Sequence, residues 1–185
     1  MTAITHEQAN EVLQQADLLH SAADIQSRIA SLAGQINQQF AGKDTVIFCV
    51  MNGGILFAGM LMPLLNFAFH FDYLHASRYR EKTTGGDDIH WIKHNAVTIK
   101  NRHVLVIDDI LDEGYTLEAI VNNLAAQSPA SLMTAVLAEK KHARGNGFNA
   151  DFVGLQLIDR YVFGMGMDYC GYLRHLPAIY AVKGL

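Results

Sequence analysis

The chain has 185 residues, half of them hydrophobic and 17% charged, with a formal net charge of −4. That length suits one domain with a sizeable core, and the composition excludes a disordered chain. A weakly acidic chain without a Lys/Arg block also lacks the footprint for general nucleic-acid or anionic-membrane binding.

The opening "MTAITHEQANEVLQQ" has neither the basic nor the apolar region of a signal peptide. Thr5 and Gln8 fit a capping box, after which Val12, Leu13, Ala16 and Leu19 are apolar. Ile25, Ile29, Leu32 and Ile36 continue at helical spacing, so residues 1–40 are expected to form a helical N-terminal segment.

"TVIFCVM" (45–51) is a short, fully apolar run and reads as a strand buried on both faces, with Cys49 a small hydrophobe within it. Cys49 and Cys170 lack CxxC spacing, which predicts reduced thiols in a cytoplasmic protein. "NGG" breaks the run, and residues 55–65 suggest a helix. Pro63 and Asn66 interrupt the most lipid-like stretch, which therefore reads as a buried helix leading into a strand. Phe67, Phe69, Phe71 and Tyr73 alternate as in a strand.

Residues 77–90 are polar and aperiodic and read as a long loop. His90 and His94 within and beside it lack further metal-binding partners and read as ordinary loop histidines. Strands are expected at 103–108, 131–138 and in "DFVGLQL", with a helix from about 115 to 126 and an irregular tail holding short strands. Alternating strands and helices imply an α/β fold, a mostly parallel twisted sheet flanked by helices, with ligands beyond the carboxyl ends of its strands.

At one such end stands "VLVIDDILDEGYTL" (104–117), which holds four carboxylates within six positions. As a DDxxD metal motif it needs a helix, but a strand precedes it and Gly114 follows closely. Residues 112–116 instead suit a strand-to-helix turn whose backbone N–H groups hold a phosphate. The GxxxxGK[ST] loop of ATPases is absent. Carboxylates beside a phosphate cradle suit ribose hydroxyls and a cationic centre at an anomeric carbon.

That string resembles the phosphoribosyl-diphosphate (PRPP) signature of type I phosphoribosyltransferases, and residues 45–180 resemble the hypoxanthine-guanine branch. The resemblance implies the type I fold, with a small hood from the terminal segments and a purine-binding stretch at 155–185. Asp108 and Asp109 would hold the ribose hydroxyls. Asp112, Glu113, Gly114, Tyr115 and Thr116 would hold the 5-phosphate, Glu113 through its backbone only. Asp112 would be the catalytic base or acid at purine N7.

By the same resemblance, Asn52, Gly53 and Arg174 would bind pyrophosphate. Lys140, Tyr161, Val162 and Asp168 would bind the purine, with Lys140 donating to O6 and Tyr161 stacking on the ring. Asp168, Asp108 and Asp109 would hold Mg2+. Ser77, Arg78 and Tyr79 would belong to a lid over 77–90 that excludes water. Asn52, Arg78 and Glu113 depart from the usual family residues.

The implied reaction is purine salvage, converting hypoxanthine or guanine plus PRPP to IMP or GMP plus pyrophosphate. Partners would be these small molecules and further copies of the chain, as a homodimer or homotetramer. Neither nucleic acid nor a membrane is expected. The alternative is a non-catalytic PRPP-sensing regulatory protein of the same fold. A phosphoacceptor domain is a weaker third reading, because its acidic pair should follow the first strand. Lys141 reads as solvent-facing, and Met165 and Met167 as packing residues.

Overall fold

A computed structural model describes residues 4–78, 89–142 and 144–184. Helices α1 (His6–Gln15) and α2 (Ala22–Phe40) each begin with a capping box, Thr5 with Gln8 and Ser21 with Asp24. Strand β1 (Asp17–His20) separates them, so the N-terminal segment is not helical throughout.

Six strands form the main sheet, in the order β4 (Ile89–Lys93), β3 (Phe69–Arg78), β2 (Thr45–Met51), β5 (His103–Leu111), β6 (Ser131–Lys140) and β7 (Phe152–Leu157). All neighbours are parallel except β3 and β4. Ile47, Cys49, Leu105 and Ile107 pack on the α2 and α3 side, where α3 is Ile55–Leu61. Val46, Phe48, Val104 and Val106 pack toward α4 (Tyr115–Ala125). Burial on both faces explains why β2 and β5 are continuous apolar runs. It also pushes the Cys49 thiol up to about 12, with the Asp108 and Asp109 charges adding to the effect.

Three expectations change here. The helix suggested over 55–65 ends at Leu61, and Met62–Leu64 form a 3-10 turn containing Pro63, whose missing N–H cannot continue the helix. Ser77 and Arg78 end β3, while Ile89 and His90 begin β4, so strand residues occupy both ends of the stretch read as a loop. His90 is therefore a strand residue, and the remainder of that stretch, 79–88, lies outside the described residues. Finally, β3 starts at Phe69, and its buried side chains are Leu74 and Ala76, while Phe71 and Tyr73 are exposed.

A second, antiparallel sheet joins the two ends of the chain in the order β1, β9 (Ile179–Ala181), β8 (Val162–Phe163). Arg160 ties it together, donating to Asp17 and to the Val182 carbonyl, both at 2.7 Å. Met165 and Met167 are buried in the main core, as packing residues. Residues 155–157 belong to β7 of the main sheet rather than to this smaller one. Among the described residues no helix is long and apolar enough to cross a membrane.

Candidate functional site

The chain leaves β2 toward β3 on one side of the sheet, whereas β5 leads to β6 on the other. The connections after β2 and β5 therefore diverge and leave a crevice beyond their carboxyl ends. A cavity of about 410 Å³ lies there. It is lined by Asn52 and Gly53 after β2, by Asp108, Asp109 and residues 112–116, and by Asp168 and Arg174. His75 and Ala76 of β3 also line it, although sequence reading did not single them out.

The loop after β2 presses against β5. A Cβ on Gly53 would overlap the Asp109 carboxylate, so any other residue there would have to displace that side chain. Asp108 and Asp109 lie within β5 rather than just past it, because backbone pairing with β6 continues to Leu111 opposite Glu139. Each is 8% exposed. The Asp109 N–H donates to Asp108 Oδ1, and the Ile110 N–H to Asp109 Oδ1, both at 2.9 Å. Burial and then the Asp109 charge push the Asp108 carboxyl well above its ordinary range. Burial also raises Asp109, against the hydrogen bonding of Asp108 and the positive charge of Arg174. The pair is poised to accept hydroxyl donors or a cation that would offset its charge.

Arg174 pairs with Asp168 at 2.5 Å and donates to the Gly166 carbonyl at 2.6 Å. The Gly171 N–H donates to the other Asp168 oxygen at 2.7 Å. Among the described residues, no three His, Cys, Asp or Glu side chains cluster to hold a metal ion by themselves.

Gly114 sits at the N-cap of α4 with φ +87°, a left-handed conformation that glycine adopts without a Cβ clash. First-turn amides of a helix have no intrahelical acceptor and face an anion favourably. Asn146, absent from the sequence reading, backs this turn. Its N–H donates to the Glu113 carbonyl at 3.0 Å, its side-chain amide donates to Glu118 at 2.7 Å, and its Oδ1 accepts from the Phe148 N–H at 3.0 Å. In sequence Asn146-Gly147 signals only a turn.

Asp112 faces a second, adjoining cavity of about 300 Å³, which Lys140 also lines. Lys140 Nζ donates to Asp112 Oδ2 at 2.8 Å, and His142 Nε2 contacts Oδ1 at 2.6 Å. Burial alone would raise the Asp112 carboxyl, but Lys140 and His142 together hold it below the ordinary range. Lys141 pairs instead with Glu139 at 2.9 Å and is largely exposed.

Tyr161 and Val162 line neither of these two cavities. Tyr161 packs edge-on against Tyr169, with ring centroids 5.5 Å apart, and Val162 is buried in β8. Ser77 and Arg78 end β3, and Tyr79 lies outside the described residues.

A family model described as the phosphoribosyl transferase domain matches residues 15–169. The chain belongs to the phosphoribosyltransferase family. It is 34% identical over 168 residues to the hypoxanthine-guanine-xanthine phosphoribosyltransferase of Tritrichomonas foetus, covering 90% of this chain and 91% of that one. It is 30% identical to the hypoxanthine-guanine phosphoribosyltransferase of Aquifex aeolicus, covering 90% and 94%. The crystal structure of a hypoxanthine phosphoribosyltransferase from Staphylococcus aureus superimposes with a TM-score of 0.87 at 28% identity, covering 97% and 96%. In family terms, the crevice between β2 and β5 lies beyond the carboxyl ends of the strands, where α/β sheets hold their ligands.

Proposed function

We propose that this phosphoribosyltransferase acts in purine salvage, joining hypoxanthine or guanine to PRPP to give IMP or GMP and pyrophosphate. The observation that carries the reading is one crevice lined by the buried Asp108–Asp109 pair, the Gly114 turn and the Asn52–Gly53 loop. Together these match a ligand with ribose hydroxyls, a 5-phosphate and a diphosphate.

In this reading Asp108 and Asp109 accept from the ribose hydroxyls, and residues 112–116 hold the 5-phosphate, with Glu113 contributing only backbone. Asn52, Gly53 and Arg174 bind pyrophosphate. Mg2+ would be held by Asp168 on one side of the crevice or by Asp108 and Asp109 on the other, since magnesium takes one or two carboxylates and completes its shell with substrate oxygens and water. When bound, the ion supplies positive charge that offsets the diphosphate. Lys140 donates to the purine O6, Tyr161 stacks on the ring, and Val162 and Asp168 complete the base site.

The C1–O bond to pyrophosphate breaks as the N9–C1 bond forms, and pyrophosphate leaves with the bonding pair. Asp112, ionised beside Lys140 and His142, takes the N7 proton. Positive charge developing on the ribose is stabilised by the buried carboxylates. The stretch 77–90, with Ser77, Arg78 and Tyr79, serves as the lid that excludes water.

The reaction belongs to the cytoplasm, in keeping with two unpaired cysteines. Assembly is as a homodimer or homotetramer, for which exposed Phe71, Tyr73 and Ile92 offer apolar surface. The direct test is nucleotide formation by wild type and Asp112→Asn. Turnover should fall by about 10²–10⁴-fold in the variant. An unchanged rate would remove Asp112 from the chemistry.

A further inference from the structure

The Asp112 carboxylate is gripped at both oxygens by groups that follow β6. Lys140 takes Oδ2 at 2.8 Å, and His142 takes Oδ1 at 2.6 Å. The two grips differ in kind. Both side chains are largely buried, Lys140 at 11% and His142 at 5% exposed, but Lys140 ends a long flexible stem whereas His142 is a ring held close to the backbone.

The second ring nitrogen of His142 gives the geometric ground for assigning its tautomer. The Arg144 backbone N–H donates to His142 Nδ1 at 3.2 Å. With Nδ1 as the acceptor, this contact assigns the proton to Nε2, facing Asp112. A neutral imidazole in that tautomer has both nitrogens satisfied. The nearby charges are engaged elsewhere: the Arg144 guanidinium pairs with Asp159 at 2.5 Å, and Lys141 pairs with Glu139.

We propose that His142 is a positioning residue for this enzyme, holding Asp112 Oδ1 so that Oδ2 faces the purine once Lys140 swings to the base. The inference rests on the reading of Asp112 as the group that takes the N7 proton. Under that reading Lys140 has two successive partners, Asp112 in the unliganded protein and O6 in the complex. Its departure uncovers Oδ2, the oxygen that receives the N7 proton. A carboxylate held by Lys140 alone would then be free to rotate. The buried imidazole keeps it in place without touching substrate. The sequence gives this histidine no periodic partner, since Asp112 lies 30 positions earlier.

Two measurements on the full chain test this. In ¹⁵N-labelled unliganded protein, the His142 ring should show the Nε2–H tautomer, and the signal should change in Asp112→Asn. A ring in the Nδ1–H tautomer, or one indifferent to Asp112, overturns the proposal whatever the enzyme does.

In steady-state assays His142→Leu should lower kcat by about tenfold to a hundredfold, as misplacement of a catalytic group does, with little change in KM for PRPP. The acid limb of its rate profile should move to higher pH, because the lost donor had favoured the ionised carboxylate. His142→Gln, which keeps an N–H donor, should recover most of the loss. Recovery by Gln also separates positioning from misfolding of the Leu variant. A His142→Leu enzyme with wild-type kcat and an unmoved acid limb, while Asp112→Asn is impaired, sinks this inference alone. A wild type that forms no nucleotide sinks the functional reading, and this proposal with it.

Discussion

Three glycine-to-alanine substitutions separate what the turn before α4 demands of Gly114 from what any glycine contributes. Gly34 lies on the exposed side of α2 with nothing near its added methyl, so Gly34→Ala should stabilise by about 1 kcal/mol. Gly42 has φ +70° in open space, so Gly42→Ala carries only the left-handed backbone cost of about 1–2 kcal/mol. Gly114 has φ +87°, and its added methyl would also overlap Asn146 Oδ1. Displacing that side-chain amide endangers its two hydrogen bonds, to Glu118 and from the Phe148 N–H, at about 1 kcal/mol each. Gly114→Ala should therefore cost about 3–4 kcal/mol. For a chain of this size that lowers Tm by about 10 °C, against a rise of about 3 °C for Gly34→Ala. Thermal unfolding followed by circular dichroism measures the series, and inorganic phosphate binding should weaken in Gly114→Ala alone. If Gly114→Ala melts no lower than Gly42→Ala, Asn146 does not brace the turn and the argument fails.

Two other outcomes are expected. Asn52→Lys adds a positive charge to a residue lining the crevice, so it should tighten pyrophosphate binding measured by calorimetry; no gain would rule out the proposed diphosphate contact of that loop side chain. Burial pushes the Asp72 carboxyl up, but hydrogen bonds from Lys93, Ala96 and Tyr73 outweigh it and leave the group below its ordinary range. A depressed folded value means its stabilisation is present above about pH 4 and is lost as pH falls through the folded value. The stability gap between wild type and Asp72→Asn, from urea unfolding, should narrow with acidification.

The parts of the fold legible in the sequence are those where one residue's neighbours decide its state. β2 and β5 are buried on both faces, so they read as apolar runs. The Asp-x-Gly-x-Thr turn carried its own geometry, since Gly114 alone there can take φ +87° easily. What failed depended on distant partners. β1 exists because Asp17 pairs with Ala181, a contact no local pattern can display. β5 continues through Asp108 and Asp109 because β6 offers a ladder irrespective of side-chain polarity. In β3 the alternating aromatics marked a strand but not its buried face, which Leu74 and Ala76 supply. At the site, glycines and carboxylates were visible as a motif, whereas Asn146 and His142 gain their roles only where a later segment folds back on the turn.

The central claim is a phosphoribosyl transfer to a 6-oxopurine. It is tested most directly by nucleotide formation from PRPP and magnesium with hypoxanthine, guanine, xanthine and adenine in parallel. The account predicts turnover of hypoxanthine or guanine and none of adenine, since the Lys140 ammonium can donate to an O6 but cannot accept from an amino group. Turnover of adenine at a comparable rate, or PRPP binding with no base consumed, would contradict it.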